Sequence, residues 1–354
     1  MGLKILHSAD WHLDSPFAGF PDRQKEFLRA EQRRIPGMVT ELAKKENCDL
    51  ILLSGDIFDG KATPETLEET KRALGACGIR TLIAPGNHDY YGADSVWASE
   101  SWPDNVYIFK KGIKSIPLPD LDCRVYGAAF QSMDCASLLE GFRAEGGETY
   151  QVAVLHGDPT QKNSPYNPIT VGQVRSSGLS YLALGHVHTA GAFRAGRTIC
   201  AWPGCPMGRG WDETGDKGVC IVTLEQQPDI QAVSLDTLRF HKMAVDVSSG
   251  ALPALEAALP GAGSNDFFRV DLTGCGKVDL QELRRALESY PNLELRDRTE
   301  APIDVWAEAG EDTLEGVYFH MLRKRMEERP EEEAHIQQAA EISRRLLLGR
   351  EVTL

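Results

Sequence analysis

Leu50-Ile51-Leu52-Leu53-Ser54-Gly55-Asp56-Ile57-Phe58-Asp59 is the stretch whose reading decides the fold class. Four apolar residues in a row fit a strand buried on both faces, because a strand with one wet face alternates apolar with polar residues. The run then breaks at once into a cluster of Gly and Asp. The same grammar recurs at residues 3–6 before Asp10-Trp11-His12 and at 81–84 before Gly86-Asn87-His88-Asp89. It returns at 152–155 before His156-Gly157 and at 181–184 before Gly185-His186-Val187-His188. Short buried strands separated by helical or irregular connections predict an α/β fold. The carboxyl ends of strands in an open α/β sheet converge on one rim, so clusters far apart in sequence are expected to meet in one cleft.

Five of the nine histidines lie in these clusters. Mixed carboxylate, imidazole and amide donors suit manganese, iron, zinc or magnesium in an open, catalytic site, unlike the thiolate sets of structural zinc. In an extended segment, residues two apart point to the same side, which pairs Asp10 with His12 and His186 with His188. Two ions roughly 3.5–4 Å apart share a bridging carboxylate and together absorb charge on phosphoryl oxygens; Asp56 is the natural bridge.

Outside the clusters, residues 24–45 carry Phe27, Ile35, Met38, Val39 and Leu42 at near-helical spacing and are expected to form one crossover helix. After residue 240 the pattern turns to strand 242–247, helix 252–258, strand 267–272, helix 280–289 and strand 293–296, a small α+β unit. Two terminal helices follow. The first has Leu314, Val317, Tyr318, Met321 and Leu322 on one face, and Pro330 falls in the first turn of the second. Residues 271–282 mimic a calcium loop but have Thr273 and Cys275 at ligand positions, so a strand-to-helix turn is expected there.

A net charge of −14 over 354 residues excludes a protein that coats nucleic acid through a basic surface, and confines any such contact to a local patch. Lys61, Arg194, Arg197 and Arg209 are the cations expected to line it. Eight cysteines without a CxxC pair read as reduced, buried thiols. No apolar run approaches the roughly 18 residues of a membrane span and no signal segment opens the chain, so a cytoplasmic protein is expected.

The motif order, Asp-x-His at 10–12, Gly-Asp-x-x-Asp at 55–59, Gly-Asn-His-Asp at 86–89, a lone His156 and Gly-His-x-His at 185–188, resembles the calcineurin-like metallophosphoesterase superfamily. The resemblance implies a four-layered α/β/β/α sandwich holding two divalent ions. Asp10, His12 and His188 would hold one ion, Asn87, His156 and His186 the other, with Asp56 between them. His88 would then face the scissile phosphate, stabilising the transition state or protonating the leaving oxygen, with Asp59 orienting it.

The phrases Ala9-Asp10-Trp11-His12-Leu13-Asp14-Ser15-Pro16, Leu182-Ala183-Leu184-Gly185-His186 and Glu213-Thr214-Gly215-Asp216-Lys217-Gly218 look like the SbcD and YhaO type of DNA-repair exonuclease. That likeness implies cleavage of DNA as exonuclease and endonuclease with Mn²⁺, or with Mg²⁺, Fe²⁺ or Zn²⁺. It also implies an SMC-like ATPase partner of the SbcC/YhaN type. Residues 1–238 would be the nuclease domain, 239–300 an α+β DNA-binding cap, and 301–354 a helical segment placed for ATPase docking. Trp97, Trp102 and Val106 would pack in the core or form a homodimer seam. Metal ligands do not encode the substrate. A nucleotide or small-molecule phosphodiesterase, and a non-catalytic metal-stabilised scaffold for the ATPase, are the alternatives.

Overall fold

The computed structural model of the protein describes residues 2–349 other than 227, 262, 302 and 303. The chain divides into two compact units, Met1–Lys242 with Asn265–Arg269, and Met243–Ser264 with Val270–Leu354.

The first unit is built on two sheets. Its strands are β1 (Leu3–Ser8), β2 (Leu50–Leu53), β3 (Arg80–Ile83), β4 (Val106–Ile108), β5 (Lys114–Leu118) and β6 (Cys123–Gly127). They continue with β7 (Tyr150–His156), β8 (Tyr181–Gly185), β9 (Gly191–Ala195), β10 (Thr198–Trp202), β11 (Gly218–Leu224) and β12 (Asp229–Ser234). The first sheet has the order β12-β11-β1-β2-β3-β4 and the second β5-β6-β7-β8-β10-β9. Strands β1 to β4 are mutually parallel, with Leu52 opposite His7 on one side and Leu82 on the other. In the second sheet β6, β7 and β8 run parallel, and His156 stands opposite Gly185.

Strand residues alternate between two different cores, and that is why the sequence shows no alternation of polarity. Ile5, Leu50, Leu52 and Leu82 pack against Val152, Val154, Tyr181 and Ala183 between the sheets. Leu6, Ile51, Leu53 and Ile83 face outward onto Leu28, Val39, Leu67 and Leu74. Those four belong to helices α1 (Asp22–Arg33), α2 (Ile35–Lys45) and α3 (Pro64–Cys77). Trp97, on the single-turn α4 (Val96–Ser99), joins the same cluster. On the far side Ala153, Leu155, Leu182 and Leu184 cluster with Val174 of α5 (Val171–Ser176). The result is the four-layered α/β/β/α arrangement. His7 is buried between the sheets, bonded to Ser54 Oγ and Tyr181 Oη, both at 2.8 Å.

One expected helix is two. Residues 24–45 split at Arg34, where Pro36 supplies no N–H and its ring crowds the carbonyl four residues back, so the ladder cannot run through. Trp97 is core: it is buried, stacked on the half-buried Trp102 and tilted against Phe58.

A third sheet has the order β13 (Phe240–Asp246), β14 (Phe267–Thr273), β15 (Leu293–Asp297), with α6 (Ala251–Ala258) and α7 (Leu280–Ala286) between its strands in sequence. Asp271 lies within β14 and Asp279 caps α7 through the N–H groups of Gln281 and Glu282, so the calcium-loop mimic is a strand-to-helix turn. Helices α8 (Leu314–Glu328) and α9 (Glu333–Leu347) pack around Phe319, Val305 and Ala340, with the Arg344 guanidinium 4.1 Å over the Phe319 ring. Of the expected apolar face of α8 only Leu322 packs, beside Phe319; Leu314, Val317, Tyr318 and Met321 are exposed, because Gly316 and Phe319 are the fully buried residues of α8.

Candidate metal centre

All five polar clusters sit at carboxyl ends of parallel strands: Asp10 and His12 after β1, Asp56 and Asp59 after β2, Asn87 and His88 after β3, His156 ending β7, and His186 and His188 after β8. Asp10 N–H donates to Gly55 O at 3.0 Å and His12 N–H to Asp56 O at 2.9 Å, which zips the first two loops together. Asp89 accepts N–H bonds from Gly86, Asp56, Ile57 and Phe58 at 2.7–3.3 Å and so ties the second loop to the third. Burial and the Asp56 charge push its carboxyl up to about 7, against the pull of these donors.

The loops are tight and strained. Asp10, His12, Asp56 and His186 all have positive φ, at 54°, 46°, 51° and 94°. Such conformations cost of the order of 1–3 kcal/mol each and persist only where the surroundings enforce them, most often at functional sites. Two glycines are required by space alone. A Cβ on Gly86 would stand 2.2 Å from Asp56 Oδ1, and one on Gly185 would stand 2.1 Å from the Ser54 carbonyl oxygen.

The donor atoms converge on two points. His12 Nε2 and His188 Nε2 face each other at 3.2 Å, with Asp10 in the same group. Asn87 Oδ1 lies 2.9 Å from His156 Nε2 and 3.3 Å from His186 Nδ1. Asp56 Oδ2 stands between, 3.6 Å from His12 Nε2 and 3.4 Å from His156 Nε2. Asp10, Asp56 and His156 also close within 4.8 Å of one another, as do His12, Asp56 and His88. Two imidazole nitrogens aimed at each other across 3.2 Å in a site where Asp10, His12 and His156 are fully buried match a donor set built around cations.

His156, His88 and His188 are also held from behind. His156 Nδ1 lies 2.8 Å from the Ser54 carbonyl oxygen, so Nδ1–H donates there and Nε2 turns its lone pair inward. His88 Nδ1 is 2.8 Å from Asp59 Oδ1, and the same carboxylate oxygen stands 3.7 Å from His12 Nδ1, a buried atom with no closer partner. His188 Nδ1 is 2.5 Å from Glu213 Oε1, and Arg209 Nη2 reaches that oxygen at 3.1 Å. Burial works to raise the Glu213 carboxyl, but His188 and Arg209 hold it well below the usual carboxylate range.

Glu213 opens a phrase quoted from the sequence, but its role behind His188 is what sequence reading missed. It arrives from the loop between β10 and β11, and no spacing rule ties it to His188. Partners behind a metal-binding histidine contribute roughly 10–100-fold in metal affinity or activity. Glu213→Ala should weaken Mn²⁺ binding by that factor in a calorimetric titration, with Glu213→Asp intermediate; unchanged affinity in the alanine variant would remove the role.

The expected cations divide. Lys61 lines a cavity beside His88, and Arg209 lies next to His188. Arg194 and Arg197 do not belong. They sit on the β9–β10 hairpin, where Arg197 bonds Ser180 at the opposite end of β8 from His186.

The electrostatics are those of buried opposite charges. Burial works to raise Asp56, but the charges of His156, His12 and His88 hold it well below the carboxylate range. Burial works to lower His156, but Asp56 and Asp10 raise it to about 9. His186 falls to about 4 through burial and the nearby His156 charge.

The chain has relatives among known proteins. The chain is 30% identical over 268 residues, 70% of its length, to the "Uncharacterized metallophosphoesterase YhaO" of Bacillus subtilis, and the match spans 64% of that relative. It is 22% identical over 329 residues to the SbcD component of the SbcCD nuclease of Staphylococcus epidermidis, covering 82% of this chain and 84% of that one. Among solved structures, a dimetal phosphatase from Danio rerio matches 67% of this chain and 98% of its own at 14% identity and a TM-score of 0.44. The sequence profile described as calcineurin-like phosphoesterase matches residues 3–190, which includes every donor described above, and the chain therefore belongs to the calcineurin-like phosphoesterase family.

Proposed function

We propose that the protein is a Mn²⁺-dependent DNA nuclease that hydrolyses phosphodiester bonds with two ions. The observation that carries this reading is the place of Asp56 Oδ2 between two sets of converging donors, with the half-exposed His88 beside them. Two divalent ions there would supply Lewis acidity toward the phosphoryl oxygens and a nucleophile at neutral pH. Asp10, His12 and His188 would hold one ion and Asn87, His156 and His186 the other, with Asp56 shared. His88 acts on the substrate itself. Its Nδ1 is taken by Asp59, which leaves Nε2 to deliver a proton to the leaving oxygen.

DNA as substrate draws support from the relative named as part of a nuclease. That name is of one subunit of a complex, and together with the SbcD- and YhaO-like phrases it supports an SMC-like ATPase as partner, which co-purification would test. The net charge of −14 favours the second reading, a nucleotide or small-molecule phosphodiesterase. No described helix is long and apolar enough to cross a membrane. Linear duplex, hairpin and single-stranded DNA incubated with Mn²⁺ should all be assayed beside bis-nitrophenyl phosphate. Cleavage of the ester without cleavage of any DNA sinks the nuclease reading, and cleavage of neither by a metal-loaded protein supports a scaffold.

A further inference from the structure

A cavity of about 530 Å³ adjoins the centre, walled by Gly60, Lys61 and Ala62 on one side and by the loop from His88 through Val96 on the other. Its size falls within the roughly 300–1,000 Å³ of small-molecule sites. His88 forms part of its wall, and with Nδ1 bonded to Asp59 its Nε2 is the nitrogen left to serve a leaving group seated here. Three side chains give the cavity a chemistry. Tyr90, a residue 40% exposed on this wall, supplies an aromatic ring on which a base can stack. Lys61 is exposed and makes no ion pair among the described residues, so its ammonium can meet an anion. Asp94 is exposed on the same wall and can accept from an amino or hydroxyl group. A planar amine-bearing ring, a hydroxylated sugar and a second phosphate together make a nucleotide.

We propose that this cavity is the leaving-side nucleotide subsite, with the departing base stacked on Tyr90 and the next phosphate on Lys61. The inference rests on the phosphodiesterase reading above and names what its leaving group is.

The test uses the full chain with Mn²⁺, a dinucleoside monophosphate, and two analogues each lacking one base. Stacking on an aromatic side chain is worth roughly 5- to 150-fold per base. Removing the leaving-side base should lower kcat/KM by a factor in that range, mainly through KM, and Tyr90→Ala should cost the intact dinucleotide a similar factor. The two losses should not add, because they delete two halves of one contact; Tyr90→Phe should retain activity. Equal losses on all three substrates, or none on the dinucleotide, overturn the subsite. Lys61→Ala should make the salt dependence of single-stranded oligonucleotide binding shallower by roughly 0.7 in log–log slope, and an unchanged slope removes Lys61 from it. If the wild type cleaves bis-nitrophenyl phosphate but no dinucleotide or DNA, the nuclease reading falls and takes the subsite with it. Dinucleotide cleavage that is indifferent to Tyr90 overturns the subsite alone.

Discussion

Replacing His88 with alanine should lower kcat on DNA by roughly 10²–10⁴-fold, the contribution of a positioned general acid, while both metal ions stay bound. The separation is possible because the His88 ring is held by Asp59, while its hydrogen bond to Asp56 runs through the backbone N–H, which alanine keeps. The Asp59 hydrogen bond raises the His88 pKa first, with the Asp56 and Asp59 charges adding to it against burial. A proton donor works in its protonated form, so wild-type kcat should fall as pH rises through this raised pKa, and the variant should lack that alkaline limb. The leaving group gives a second handle. An alkoxide sugar oxygen needs the proton, whereas nitrophenolate leaves well without it, so bis-nitrophenyl phosphate should lose far less activity than DNA. Equal losses on both substrates would assign His88 to charge stabilisation of the phosphoryl group. Loss of bound manganese in the variant would make His88 a ligand, an outcome that its closeness to His12 and Asp56 keeps testable.

What was legible in the sequence is what lies contiguous in it. Each polar cluster follows its strand directly, so Leu50–Leu53 and the loop after it could be read as one unit, and the parallel order of the strands then brings the five clusters to one rim. Contacts made by distant, unpatterned residues were not legible. Glu213 reaches His188 from a loop 25 residues away in sequence, and its carboxylate looks like any other acidic residue. The α8 stripe misled for a related reason. Periodicity shows which residues share a face and says nothing of whether anything covers it, and here the inward side is held by Phe319 under the Arg344 guanidinium. Arg194 and Arg197 misled because a basic run after Gly185-His186-Val187-His188 is near the site in sequence, whereas the β9–β10 hairpin carries it to the other end of the sheet.

Asp56→Asn should abolish the stabilisation that Mn²⁺ confers on the folded protein, and the pH dependence of that stabilisation identifies the reason. In the metal-free protein the Asp56 carboxylate sits against a protonated His156. The His156 pKa, near 6.5 when unfolded, rises to about 9 when folded, so its share of stability is complete below about 6.5 and lost as pH climbs through 9. Asp56 is shifted the other way, so its share is present above its unfolded pKa of roughly 4 and disappears in acid. Between these limits the proton on His156 does part of the work that a cation does when bound. Metal must displace that proton, so affinity rises with pH and binding releases protons to the buffer. An ion at a hundred times its Kd contributes about 2.7 kcal/mol, or roughly 5–11 °C in Tm for a domain of this size. The wild-type shift should therefore grow from pH 6 to pH 9. Asparagine keeps the shape but removes the charge shared by the two donor groups, and it takes away the partner that keeps His156 protonated. The variant should bind manganese weakly, release fewer protons and show little Tm shift at any of these pH values. A shift equal to that of the wild type would mean that each ion is held without Asp56, and the two-ion reading would then lose its bridge.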